Sequence, residues 1–482
     1  MADPPASRRR PVARINDLPD DILRNVLSFL SSRDAVRDCM LSRRWRDLWK
    51  SVPRIDADIT DFDDQGYSDE QCEVLLKRFM NRFLEARDPV PLQEFCLWYS
   101  VCKDVPKTES EDASGDDEDA QFAEDDDEEA QFEEDDDEDA QFAEDDDEEA
   151  PIAEDDDEEA QLADAPEDDE EAQLADDEDE QDKSADVSEE DEQDKSAAAN
   201  EWIRYALKHN ASVIVVVNRL YALNLDHAGF TSNYLKSLNL SSAILMQGFF
   251  EQLQSGCPKL KHLSLYDCVI MDTEVSSQTL EVLTLPDQVH FPPDHQATIS
   301  APRLISLAFN NSEGPRLPLL RNMASLEEAW IQISENIKAI DAPDITQFLD
   351  SLSRVRRLSF NYDNRRLTME NNCQWCPTFS NLTDLTLDEW CVHEDFYALI
   401  VFLQKSPKLK DLTLILNEPH QRFGEEPAII GALEERSFAC NQLESVEIIC
   451  PSECSLLPKV QTFLLDGGIT LDKIRIKQKQ HR

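Results

Sequence analysis

From Ile15 to Val52 the chain reads INDLPDDILRNVLSFLSSRDAVRDCMLSRRWRDLWKSV, with apolar residues recurring at helical spacing. Ile22, Leu23, Val26, Leu27 and Leu30 fall at offsets of 0, 1, 4, 5 and 8. Ahead of them, Pro19 suits a first helical turn, and Asp20 and Asp21 complement the dipole at a helix N-terminus. Ser32 can cap a second helix carrying Ala35, Val36, Cys39 and Met40, and Ser42 a third carrying Trp45, Leu48, Trp49 and Val52. The pattern therefore predicts three helices in about forty residues. With Phe29 included, apolar positions lie on more than one face, and a unit this small buries too little surface to be comfortably stable alone. It is expected to be half of an interface.

After a polar, acidic stretch from Arg54 to Gly66, a helix is predicted from Ser68, with Cys72, Leu75, Leu76, Phe79, Phe83 and Leu84 at near-helical period. Leu92, Phe95 and Leu97 alternate like a short strand, and Trp202 to Leu207 read as a helix leading into a strand at Val213 to Val217. From Leu235 onward the pattern L-x-x-L-x-L keeps returning, beginning at Leu235, Leu260, Leu280, Leu304, Leu326, Val355, Leu382, Leu409, Leu443 and Leu471. The successive spacings are 25, 20, 24, 22, 29, 27, 27, 34 and 28 residues. Most fall within or beside the period of leucine-rich repeats, in which each unit cannot bury its apolar face alone and stacks on the next.

The Leu18-Pro19 pair, the run from Ser31 to Val36 and the run from Leu41 to Arg46 resemble the F-box of plant F-box proteins. The later repeats resemble the irregular leucine-rich repeats of the same group, and Leu443 to Lys477 looks like its FBD-type ending. The resemblance implies an α/β chain with an N-terminal three-helix F-box followed by an irregular leucine-rich-repeat solenoid, or horseshoe, interrupted by a disordered acidic insertion. Its boundaries are a disordered tail at 1–14, the F-box at 15–55, the start of the repeat domain at 68–108, the insertion at 109–196, and the repeats at 197–482 with the FBD-like end from about 440. It further implies that Leu18, Pro19, Ile22, Leu23, Leu27, Leu30, Val36, Trp45, Leu48 and Trp49 dock on a Skp-family adaptor, and through it on a cullin.

Composition changes the picture in one place. The net charge is −57, but residues 109–195 hold 50 Asp and Glu against two Lys, a local charge of −48 that leaves only −9 elsewhere. From Gln121 this segment repeats every ten residues (QFAEDDDEEA and close copies), and like charge at such density repels itself and cannot bury a core. It reads as an expanded surface loop within the repeat domain. The twelve cysteines, mostly at apolar positions and without a secretory signal, suggest reduced thiols in the nucleus or cytoplasm. No apolar run reaches the 18 or so residues that a membrane-spanning helix needs.

The search for chemistry yields little. No phosphate-cradling glycine loop, HExxH or GxSxG occurs, so no catalytic residue is assigned. Cys373 and Cys376 form a lone C-x-x-C, short of the four ligands of structural zinc, so no metal or cofactor is expected. Lys473, Arg475, Lys477 and Lys479 alternate along a predicted strand without interleaved aromatics, which reads as a solvated face rather than a nucleic-acid patch. Strand alternation turns the third, fifth and seventh motif positions outward, among them Tyr266, Trp330, Arg357, Asp384 and Asp388, the candidate substrate-binding residues. Trp330 stands out, because an exposed aromatic on a strand often marks recognition. The expected function is a non-catalytic substrate receptor of a cullin-RING ubiquitin ligase. The rivals are an acidic-tract chaperone or scaffold for basic proteins, and a small-molecule receptor.

Overall fold

The computed structural model describes residues 15, 18–41, 43–63, 67–99, 189–218, 222–226, 229–286, 289–311, 316–333, 342–362, 376–416 and 443–479. The chain divides into two compact units, residues 1–103 with 187–482, and residues 104–186. The tail at 1–14, Ser42, Cys373 and almost all of the acidic insertion, the whole second unit included, lie outside the described residues.

Helices Asp20–Leu27 and Ser32–Arg37 open the first unit, followed by 3-10 turns at Asp38–Leu41 and Leu48–Ser51. The third helix predicted from Trp45 to Val52 does not form as an α-helix. Leu48, Lys50 and Val52 donate to the carbonyls three residues earlier, on Trp45, Asp47 and Trp49. Val52 itself is extended (ψ 130°), because the ring of Pro53 disfavours α geometry in the residue before it. With only the four residues Leu48–Ser51 helical before that stop, the segment closes as the tighter 3-10 turn.

The helix predicted from Ser68 spans Asp69–Ala86, with Ser68 and Gln71 forming a reciprocal capping box. The helix before Val213 runs from Glu189 to Lys208, so it begins inside the stretch assigned to the disordered insertion. Two tertiary bonds hold it there: Asn224 N–H donates to Ser196 Oγ at 3.1 Å, and Asn200 Nδ2 donates to the Asn224 carbonyl at 2.8 Å. Ala198 and Ala199 bury beside them.

The main sheet has thirteen described strands, all parallel and in chain order, and it is not closed. They are Arg54–Asp58, Glu94–Tyr99, Val213–Asn218, Ser237–Ser241, His262–Tyr266, Val282–Leu285, Ser306–Asn311, Glu328–Ile333, Arg357–Tyr362, Asp384–Asp388, Asp411–Ile415, Ser445–Cys450 and Ile474–Gln478. Each motif from Leu235 to Leu443 buries its first apolar residue and sends the next apolar pair into the core, as with Leu260, Leu263 and Leu265. Motif length decides what returns the chain to the next strand. The 20-, 24- and 22-residue units after Leu260, Leu280 and Leu304 use short strands, Glu274–Ser276, Thr298–Ser300 and Leu319–Arg321, which form a second parallel sheet. The longer units after Leu326, Leu382 and Leu443 use helices, Ala342–Ser351, His393–Lys405 and Leu457–Asp466. A helix rises about 1.5 Å per residue against about 3.3 Å for a strand, so the same return path consumes more chain.

The last motif departs from the rest. Leu471 is 65% exposed in a 3-10 turn, and the strand starts only at Ile474. This edge strand carries Arg475 and Lys477, charges that discourage edge-to-edge pairing. Lys477 bridges to Glu447 at 2.7 Å.

Candidate functional site

The helix Asp20–Leu27 divides its apolar residues between two faces. Leu23 and Leu27, four residues apart, are fully buried and share one continuous core with Ala35, Trp45, Leu48, Trp49 and the repeat strands. Trp49 stacks on Phe83 of the helix Asp69–Ala86, with ring centroids 5.2 Å apart. On the other face Ile22 is 45% and Val26 38% exposed, and just beyond the helix Phe29 reaches 80%, with Met40 at 88%. Such an exposed apolar set is costly to leave in water and marks a surface that awaits cover.

The start of this surface is fixed by charge. Arg44 donates to the Leu18 carbonyl and to Asp20 Oδ1, holding Leu18 half-buried and Pro19 exposed at the head of the helix. Arg24 pairs with Asp21 at 2.7 Å and donates through Nε to Ser51 Oγ at 2.9 Å, tying the helix to the second 3-10 turn. The helical unit is also bonded to the body. Asp56 N–H donates to Ser32 Oγ at 2.9 Å, Asp88 N–H to the Lys50 carbonyl at 3.0 Å, and Arg87 Nη2 to the Val52 carbonyl. Burial pushes the Asp56 and Asp61 carboxyls above their usual range, opposed by Arg54 beside Asp56 and by the Ser31 hydroxyl beside Asp61.

Of the ten residues assigned to adaptor contact, Leu23, Leu27, Trp45, Leu48 and Trp49 are interior. They hold the unit together and, in this conformation, cannot touch a partner. Leu18, Leu30 and Val36 are half-buried, and Pro19 and Ile22 are exposed. Val26, Phe29 and Met40 are also exposed and were not among the ten. The pairs 22/26 and 23/27 are set about 100° apart on the helix, a stripe wide enough that one pair can be buried while the other stays open.

The outward positions of the sheet form a second candidate surface. Alternation holds through each strand, with burial in Glu328–Ile333 switching at every residue. Tyr266, Asp384 and Asp388 are half-buried, Arg357 is exposed and pairs with Glu328, and Trp330 is 46% exposed. Trp330 has Ala308 and Ser359 as its register neighbours, so nothing tall stands beside the indole on either strand.

Elsewhere the buried thiols are quiet: burial pushes Cys96 and Cys268 up to about 12 and Cys257 to about 11, leaving almost no thiolate at neutral pH. Among the described residues no three His, Cys, Asp or Glu side chains are grouped to hold a metal, and no helix is long and apolar enough to cross a membrane.

Comparison with known proteins agrees with this division. Residues 15–56 match the F-box domain. An F-box/FBD/LRR-repeat protein of Arabidopsis thaliana is 24% identical over 446 residues, covering 87% of this chain and 84% of that protein. An FBD-associated F-box protein of the same plant is 25% identical over 493 residues, covering 98% of this chain and 91% of that one. A second FBD-associated F-box protein is 43% identical over 84 residues, 17% of each chain. The chain thus carries an F-box at its N-terminus and is similar along nearly its whole length to plant F-box proteins named for FBD and leucine-rich-repeat segments.

Proposed function

We propose that the protein is the non-catalytic substrate receptor of a cullin-RING ubiquitin ligase. The F-box binds a Skp-family adaptor through Ile22, Val26, Phe29 and Met40, with Pro19 at the head of the surface. The repeats, stacked as a leucine-rich solenoid, hold a target protein on the outward strand face. The observation that carries this reading is the exposed apolar set on a unit whose Leu23, Leu27, Trp45, Leu48 and Trp49 are buried.

The mechanism is one of placement. Tethering a target beside the charged ubiquitin carrier replaces a bimolecular encounter by a nearly unimolecular one, at effective concentrations that reach the millimolar range for short tethers. The bonds from Ser32, Lys50 and Val52 into the body, together with the Trp49–Phe83 stack, support a stiff link between adaptor and target. The test is co-purification of a Skp-family adaptor with the full chain and with Phe29→Asp/Met40→Asp. Retention by the wild type and loss by the variant, at unchanged melting temperature, is the expected result. Equal retention by both removes the proposal.

The acidic tract favours a second reading, a scaffold for basic proteins, since its −48 charge attracts cations at long range. That attraction is screened beyond about 8 Å at physiological salt. A chain with residues 109–186 replaced by a short Gly/Ser linker separates the two readings. Under the receptor reading it still captures its target at about 150 mM salt, the condition to which that screening length applies.

A further inference from the structure

We infer that the outward face around Trp330 takes a segment of the target bearing Arg or Lys side chains; this rests on the receptor reading above and adds the chemistry of its ligand. Trp330 is 46% exposed in the middle of the strand Glu328–Ile333. In its register row the following strands present Ser359, Thr386 and Thr413, a low polar floor running away from the indole. The row on one side of that floor carries Glu328, Arg357, Asp384 and Asp411 in register, and on the other side Asp388 stands beside Ile415. Over these four strands four carboxylates therefore face one guanidinium.

The one guanidinium is committed, since Arg357 pairs with Glu328. Asp384 and Asp411 sit directly opposite each other on neighbouring parallel strands, and neither has an ion-pair partner among the described residues. Asp384 accepts only from the neighbouring Thr383 hydroxyl, at 2.5 Å. Like charges facing each other across strands destabilise a sheet, so this pair is a standing cost that a ligand cation would relieve. An indole face attracts the same kind of group by cation–π interaction, favouring guanidinium. Adjacent strands lie about 4.8 Å apart, so Trp330 and Asp384, two strands apart, are within reach of alternate long side chains of one extended segment. An acidic or phosphorylated segment would meet repulsion on this face, and a second copy of the same face would present its own carboxylates.

The test uses the full chain and a fluorescein-labelled twelve-residue peptide with two Arg and two Lys, followed by anisotropy at about 150 mM salt, where charges beyond about 8 Å are screened. Its comparison is the same peptide with all four replaced by Glu. Trp330→Ala, Asp384→Asn/Asp411→Asn, and a chain lacking residues 109–186 are measured in parallel, each with its melting temperature. Expected are binding of the basic peptide alone and at least tenfold weaker affinity in both face variants. The melting temperature of Trp330→Ala should be unchanged and that of the Asp pair variant unchanged or raised, and most of the affinity should survive loss of the tract. Three results overturn the proposal: no binding of the basic peptide, equal binding of the acidic one, or affinity that vanishes with the tract and ignores the face. Adaptor co-purification from the same preparations reports the receptor reading separately, since none of these residues touches the F-box.

Discussion

The F-box and the repeat sheet solve the same problem, covering apolar side chains, to different degrees. In the sheet the inward side chains are closed from water, and Leu263, Leu283, Leu307, Phe360 and Leu387 are essentially inaccessible. Aromatic contacts reinforce this, with Phe360 near Trp390 (5.6 Å) and Phe402 (5.9 Å). The F-box has two short helices and two 3-10 turns, too little chain to enclose itself. It lends its inner face to the body and leaves Phe29 and Met40 in water. The difference teaches that an exposed apolar residue is informative where the surrounding elements have already been used for burial elsewhere.

The sharpest break in the comparison comes from substitutions on opposite faces of the F-box. Trp49→Ala removes a buried, stacked indole and should cost about 3–5 kcal/mol, read as a lower denaturant midpoint with an unchanged slope. Phe29→Asp should leave that midpoint in place and weaken adaptor binding by about 2 kcal/mol or more, roughly thirtyfold. If the two variants behave alike, the division into inner and outer faces is wrong.

Effects then become smaller. Trp330→Ala should shift the melting temperature by no more than about 2 °C, the size of an ordinary surface change, whereas a large drop would mean that the indole is covered. Replacing residues 109–186 by a Gly/Ser linker should change stability by less than about 1 kcal/mol, because loop closure depends only logarithmically on length. Extending the cut through Ser196 should cost a further 1 kcal/mol or so, since it removes the hydroxyl that accepts from Asn224. This pair of deletions tests whether Ser196 anchors the start of the helix.

The smallest effect concerns pH. Asp61 is held above its usual range by burial, so its charged form is penalised in the folded state at neutral pH. That penalty is present above the folded pKa and relieved as pH falls through it. Asp61→Asn should therefore be slightly more stable than the wild type at pH 7, with the advantage fading in acid. Thermal denaturation at several pH values reads the trend, and an advantage that grows in acid would contradict it.

Much of this was legible in the residues. The alternation of L-x-x-L-x-L located the repeat strands from Ser237 to Cys450, because a parallel sheet with one covered face forces a period of two. The outward register of Trp330, Arg357 and Asp384 follows from the same arithmetic. Three things were less visible. The turn at Leu48–Ser51 depended on Pro53 overriding a helical pattern. The start of the helix at Glu189 lay in an acidic composition that reads as disorder, and its anchor at Ser196 is a tertiary contact with Asn224. The burial of Trp49 is likewise tertiary, since it stacks on Phe83 of the helix Asp69–Ala86, and Leu23 and Leu27 belong to a helix that packs on the turn Leu48–Ser51.

The central claim is that the outer face of the F-box is an adaptor surface. Hydrogen–deuterium exchange of the full chain, with and without a purified Skp-family adaptor, tests it most directly. The account predicts slowed exchange across residues 18–41 on adding the adaptor and no change in the strands around Trp330. Slowing confined to the repeat strands, or no slowing in residues 18–41 at saturating adaptor, would contradict it.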